Sequence, residues 1–193
     1  MNRAAFFAGV RARPFGGALA QGQVDGLNAL LDAFAAAGAA FADLRYQAYA
    51  LATAFHETAR TMQPIEEYGK GRGRAYGHPA GPWHQVYDGR GDVQLTWEAN
   101  YVKATARLRA LGVIGADVDL DKAPALALRP DIAAAIMIHG MLEGWFTGHK
   151  LADDFNATRD DPVDARRIIN GTDRAELIAG YHRAFLAALK AAA

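Results

Sequence analysis

The sequence predicts a mainly α-helical domain whose helices are interrupted by one loop-rich insertion, and three observations predict it. Apolar residues recur at helical spacing along most of the chain. That period fails between Pro64 and Gly91, where prolines and glycines crowd together with Tyr68, Tyr76, Trp83 and Tyr87. Aromatics at this density argue against disorder, and ordered loops of such length are usually functional. Finally, 193 residues, 51% hydrophobic and 22% charged, suit a single domain over 1–193 with a substantial core.

Residues 1–22 read as a lead-in segment. Its apolar run is broken by Arg11, Arg13 and Pro14, which suits a signal peptide poorly. No stretch approaches the roughly 20 apolar residues of a membrane span, so a chain made in the cytoplasm without membrane insertion is expected. Val24, Leu27, Leu30, Leu31 and Phe34, with Gly38 as a stop, predict a helix over 23–37. A second helix begins near Asp43 as N-cap and carries Leu44, Ala48, Leu51, Phe55 and Met62. At about 100° per residue it sets Glu57 on a face with Tyr46, Ala50 and Thr53, and that face is expected to line a cleft. The insertion follows, with a short hairpin expected within it. Asp92–Trp97 alternates like a short strand or a helix entry, and 98–112 reads as a helix stopped by Gly112. Further helices are expected around Pro130–Glu143, Pro162–Ile169 and Arg174–Lys190, with the two prolines at first turns.

Composition narrows the chemistry. Basic and acidic residues balance at 21 each, so no global basic field favours nucleic acid. Cysteine and serine are both absent, which removes the two commonest hydrolytic nucleophiles. The "HET" at His56–Thr58 opens like a zinc-protease helix, but the second histidine one turn on is missing: position 60 is Arg60. The remaining histidines lack ligand spacing, so no metal or cofactor is expected. "GKGRGRAYG" lacks the strand-and-helix context of a phosphate loop. Lys70, Arg72 and Arg74 read as solvated cations that could also touch an anionic polymer. Carboxylates remain. Glycosidic hydrolysis needs one acid to protonate the leaving oxygen and a second carboxylate to activate water. Glu57 at a helix end and Glu66 or Glu67 in the following loop suit that division of labour.

"FHET", "YDGRGDVQLTWEANY" and "RRIINGTDRAELIAGY", in that order, resemble glycoside hydrolase family 19, the chitinase-type enzymes, and related phage and bacterial endolysins. "GMLEGWFTGHKL" resembles the endolysin subgroup, and together the matches run from about Ala48 to Phe185. The resemblance implies a lysozyme-like α-helical fold whose insertion forms the substrate cleft. It also implies Glu57 as general acid, Thr96 as the hydroxyl that holds the catalytic water, and Gln94, Asn100 and Asn170 as sugar contacts. His56, Arg90 and Trp83 complete the expected substrate-binding set, although Arg90 would equally suit pairing with a buried acid. The second carboxylate of plant-type members lies in a disulfide-braced loop that a cysteine-free chain cannot reproduce. Glu66, nine residues after Glu57, is slightly preferred, with Glu67 and Asp92 as alternatives. Asp88 stands where relatives often carry an aromatic. An arginine used late in the chain by plant-type members aligns with Leu177, and nearby Arg174 is a substitute.

The expected activity is inverting cleavage of a β-1,4-linked amino-sugar polymer, peptidoglycan ahead of chitin, by a monomer that reaches the cell wall after release by another route. The alternatives are a chitinase, a lytic transglycosylase and a non-catalytic glycan-binding module.

Overall fold

The computed structural model describes residues 1–193 as seven α-helices and one two-stranded sheet. The helices are α1 (Arg3–Ala12), α2 (Gln21–Ala36), α3 (Leu44–Glu57), α4 (Glu98–Ala110), α5 (Pro130–Glu143), α6 (Leu151–Asp154) and α7 (Ala175–Ala192). Strands β1 (Ile65–Glu66) and β2 (Arg90–Gly91) pair antiparallel, Ile65 opposite Gly91 and Glu66 opposite Arg90.

Two helices form the centre. In α3 the Asp43 carboxylate accepts from the Arg45 N–H at 2.8 Å, capping an otherwise unsatisfied first turn. Every residue from Ala48 to Phe55 is buried, as befits a helix surrounded by protein. The face carrying Tyr46, Ala50 and Thr53 therefore does not line a cleft. Ala50 and Thr53 are fully buried, the Tyr46 hydroxyl donates to the Phe155 carbonyl, and only the helix end at Glu57 emerges. Helix α5 is its counterpart. Pro130 begins it, Gly144 ends it at φ 72°, and Ile132–Ile138 are all buried.

The amphipathic helix α7 buries Ile178, Phe185 and Leu189 and packs against both α3 and α1. The lead-in segment is thus a structural helix: Phe6 and Val10 are fully buried, and a Cβ on Gly9 would stand 2.9 Å from that of Ala188. The interruption at Arg11–Pro14 marks only its end.

Other departures have local causes. Helix α3 stops at Glu57, short of Met62, because the Thr58 hydroxyl bonds back to Ala54 O at 2.7 Å and accepts from Met62 N at 3.0 Å. Ala59 and Arg60 then turn through left-handed conformations, φ 50° and 69°. The expected helix at Pro162–Ile169 is a 3-10 turn, Asp164–Ile168, started by the Asp161 carboxylate on the N–H groups of Val163 and Asp164. Asp92–Trp97 is neither strand nor helix. It folds back so that Arg90 and Leu95 exchange backbone hydrogen bonds of 3.1 and 2.8 Å, with Gln94 at φ 54°. Tyr87, Val93 and Leu95 join the same apolar cluster as the helices, which fastens the insertion to the core. No helix is long and apolar enough to cross a membrane.

Candidate active site

A cleft of about 630 Å³ opens where the end of α3, the insertion, the start of α4 and the turn before α7 converge. Glu57 and Glu67 both line it, and so do Gln94, Thr96, Asn100 and Asn170.

Glu57 is the last residue of α3, so the most deeply packed helix of the fold sets its position. Its Oε1 accepts from Arg166 Nη1 at 2.8 Å, and the Arg166 side chain is only 3% exposed. Arg166 Nε in turn donates to the Asp173 carbonyl at 3.0 Å. The 3-10 turn of "RRIINGT" therefore performs two tasks: it anchors the carboxylate through Arg166 and carries Asn170 to the cleft wall. Sequence reasoning quoted this motif yet assigned no role to Arg166. Leu177, the position aligned with the family's late arginine, is instead a half-exposed residue of α7. Arg174 sits in a separate shallow hollow with His56, Arg60 and Tyr181. His56 thus stands outside the cleft lining, half-buried, its pKa lowered mainly by burial.

Adjacent residues Glu66 and Glu67 diverge. Side chains alternate along extended backbone, and Glu66 faces Arg90 and Lys70, at 2.9 and 2.8 Å. The Lys70 hydrogen bond first, then Arg90, hold its carboxyl below the usual range. Glu67 turns the other way, into the cleft. Its carboxylate accepts from Gly71 N, Tyr76 Oη (3.1 Å) and Gly89 N (3.2 Å). Gly89 permits this approach, because a Cβ there would lie 3.0 Å from Glu67 Oε2 and 2.8 Å from Gln94 Oε1. The slight preference for Glu66 thus meets a geometric correction: the structure brings Glu67, not Glu66, to the cleft with Glu57.

Arg90 is a buried scaffold rather than a cleft residue. It pairs with the enclosed Asp88 carboxylate at 2.5 Å, with Glu66, and with the Val86 carbonyl at 3.0 Å. The Tyr101 hydroxyl, 3.3 Å from Arg90 Nη1, donates to the Asp88 carbonyl at 2.8 Å. Asp88 therefore fills the place of an aromatic with half of an ion pair. Asp92 is also removed from the cleft: it is 2% exposed beside Met62, Gln63 and Pro130, and burial pushes its pKa up to about 7.

The cleft aromatics differ from the expected one. Trp83 lies outside the lining, with the Lys122 ammonium 5.1 Å from its ring centroid. Trp97, the last residue of "QLTW", lines the cleft half-exposed, with the Tyr76 ring edge-on at 5.4 Å. Gln94 donates to Ile65 O and Gly91 O, while Thr96 O accepts from Asn100 Nδ2 at 2.8 Å, tying the neutral groups to the hairpin and α4.

Away from the cleft, His149, Asp154 and Asp164 approach within 4.8 Å of one another, a proximity hidden by their sequence spacing. Arg159 Nη2 sits among the acids, 3.3 Å from Asp154 and 2.7 Å from Asp164, so a guanidinium already compensates their charge.

No family model matches the chain, and no curated protein does. Solved structures do. The chain is similar to chitinase C from Streptomyces griseus HUT6037, with TM-score 0.58 and 25% identity over 97% of this chain and 74% of that one. It is also similar to a glutamate-to-glutamine mutant of chitinase C, with TM-score 0.55 and 25% identity over 99% and 91% of the two chains. The motif resemblance to family 19 is thus matched by a structural likeness over nearly the full chain, and the fold is that of a chitinase-type glycoside hydrolase.

Proposed function

We propose that the protein is an inverting glycosidase that cleaves β-1,4 bonds of an amino-sugar polymer, peptidoglycan ahead of chitin. The observation that carries this reading is the presence of Glu57 and Glu67 on the walls of one cleft, while Glu66, Asp88 and Asp92 are engaged or enclosed elsewhere.

Glu57 is the proton donor to the leaving glycosidic oxygen, on a rigid helix end with Arg166 fixing its orientation. Glu67 is the base. Donors from Gly71, Tyr76 and Gly89 keep it oriented as a carboxylate that can take a proton from water. Thr96, on the same lining, helps to hold that water. As the glycosidic bond breaks, water adds from the opposite face of the sugar, and the anomeric configuration inverts. Trp97 offers a ring face to a pyranose, while Gln94, Asn100 and Asn170 bond hydroxyl and N-acetyl groups without introducing net charge.

Chitin is the second reading, favoured by the likeness to chitinase C. Reducing-end release from purified sacculi and from chitin oligomers ranks the substrates. In both assays Glu57→Gln should retain the fold and lose about 10³-fold in turnover, because an amide cannot donate the proton. Near-wild-type turnover would refute the mechanism, and proton NMR of the first-formed anomer tests inversion.

A further inference from the structure

The charged groups of the cleft are unequally engaged. Glu57 is paired with Arg166, and Glu67 is held by Tyr76 and two backbone N–H groups. Arg74 lines the same cleft, yet its guanidinium takes part in no ion pair or hydrogen bond within the protein. Its basic neighbours differ. Lys70 is bound to Glu66, and Arg72, exposed like Arg74, lies outside the lining.

The backbone beneath Arg74 is firmly tied. Arg74 N donates to Gly71 O at 2.9 Å, and Gly77 N donates to Arg74 O at 3.0 Å. Gly71 and Gly77 pack so closely that a Cβ on Gly77 would overlap the Gly71 carbonyl. The side chain thus projects from a constrained turn. It lies close to Tyr76, whose pKa is raised by burial first and by Glu67 next, with the Arg74 charge opposing, and Tyr76 leads on to the exposed ring of Trp97. One wall therefore combines an aromatic surface with an uncommitted planar cation.

Neutral N-acetylglucosamine polymers give that cation nothing to neutralise. Muramyl residues carry a lactyl carboxyl that is either free or amide-linked to a peptide with carboxylates of its own, and a guanidinium matches a carboxylate in bidentate fashion. We infer that Arg74 binds a carboxylate of a muramyl-containing glycan and so makes the site selective for anionic over neutral amino-sugar polymers. This rests on the glycan-cleft reading proposed above and adds the chemical class that the cleft prefers.

The test is calorimetric binding in the full-length Glu57→Gln background, which leaves ligands uncleaved, with and without Arg74→Ala. Three ligands of matched length are compared: chitin oligomers, glycan strands stripped of peptide, and strands that retain it. The ratio of anionic to neutral affinity should fall about tenfold on Arg74→Ala, as for loss of a charge-assisted hydrogen bond. Arg74→Lys should restore part of it. A fall with stripped strands identifies the lactyl carboxylate, and a fall only with peptide-bearing strands identifies the peptide. An unchanged ratio overturns the inference, and wild-type hydrolysis then judges the glycosidase reading separately. Failure of all three ligands to bind overturns both.

Discussion

The helical body and the insertion each deliver one carboxylate to the cleft, by different physical means. Glu57 is placed by apolar packing: α3 is buried along most of its length, and Phe55, two residues before the acid, packs edge-on against Phe15, Tyr181 and Phe185. Glu67 is placed by polar chemistry, namely two short strands, the Asp88–Arg90–Glu66 ion network and glycines that allow close approach. Apolar packing tolerates variation in shape if volume is kept, whereas a buried charge network fails when one member is lost. The backbone that carries the acid should therefore be robust in position, with Arg166 needed only to orient its carboxylate, and the base fragile.

The sharpest separation is between adjacent glutamates. Glu67→Gln should reduce turnover about 10³-fold, since the amide cannot take a proton from water. It should also lower stability by about 1 kcal/mol, because its NH2 must face a donor that the carboxylate accepted from. Glu66→Gln should leave turnover within a few-fold while stability falls by a similar amount through weaker bonds to Arg90. Steady-state kinetics and urea melts on the two variants decide it. If Glu66→Gln is the inactive one, the assignment of the base is reversed.

Next in size is a pair of truncations, one in each region. Phe55→Ala should cost about 3–5 kcal/mol as a core cavity, while the folded fraction retains its turnover. Arg90→Ala should cost about as much, because it strands the enclosed Asp88 and frees Glu66, and it should also reduce turnover by loosening the β1–β2 hairpin behind Glu67. Activity per folded molecule, corrected from the denaturation curve, separates the two. Equal retention of activity would show that the hairpin does not depend on its ion network.

The same contrast explains what was legible in the sequence. Helices α2, α3, α4, α5 and α7 were readable because apolar periodicity and caps or stops such as Asp43, Pro130 and Gly112 are local signals. Glu57 was readable with them, as a helix end inside a recognisable motif. Helix α1 was missed because its apolar face is short and the helix that buries it, α7, lies at the other end of the sequence. Around the cleft the decisive facts are pairings between distant residues. Glu66 with Arg90, Glu67 with Gly89 and Arg166 with Glu57 are long-range contacts that spacing does not encode. The placing of Asp92 beside Pro130, away from the cleft, is of the same kind.

A smaller effect, per unit of pH, tests both regions at once through two buried groups of opposite sign. In the helical body His182 on α7 is 2% exposed, stacked on Phe155 with neither ring nitrogen hydrogen-bonded, and burial lowers its pKa to about 4. Between the ordinary value of about 6.5 and that folded value, the unfolded chain takes up a proton that the folded one refuses. This group therefore removes stability as pH falls through that window, by at most about 1.4 kcal/mol per pH unit. In the insertion Asp92 behaves oppositely. With its pKa raised to about 7 from an unfolded value near 3.9, the folded protein holds a proton that the unfolded chain has released, so stability declines as pH rises between those values. Their windows overlap between about pH 4 and 6.5, where the two contributions oppose each other. His182→Phe should therefore make stability fall more steeply as pH rises through that range, and Asp92→Asn should make it rise more steeply. Chemical denaturation at half-unit steps from pH 4 to 8 resolves the two slopes. If both variants change the slope in the same sense, at least one of these groups changes its protonation with unfolding in the sense opposite to that derived from its burial.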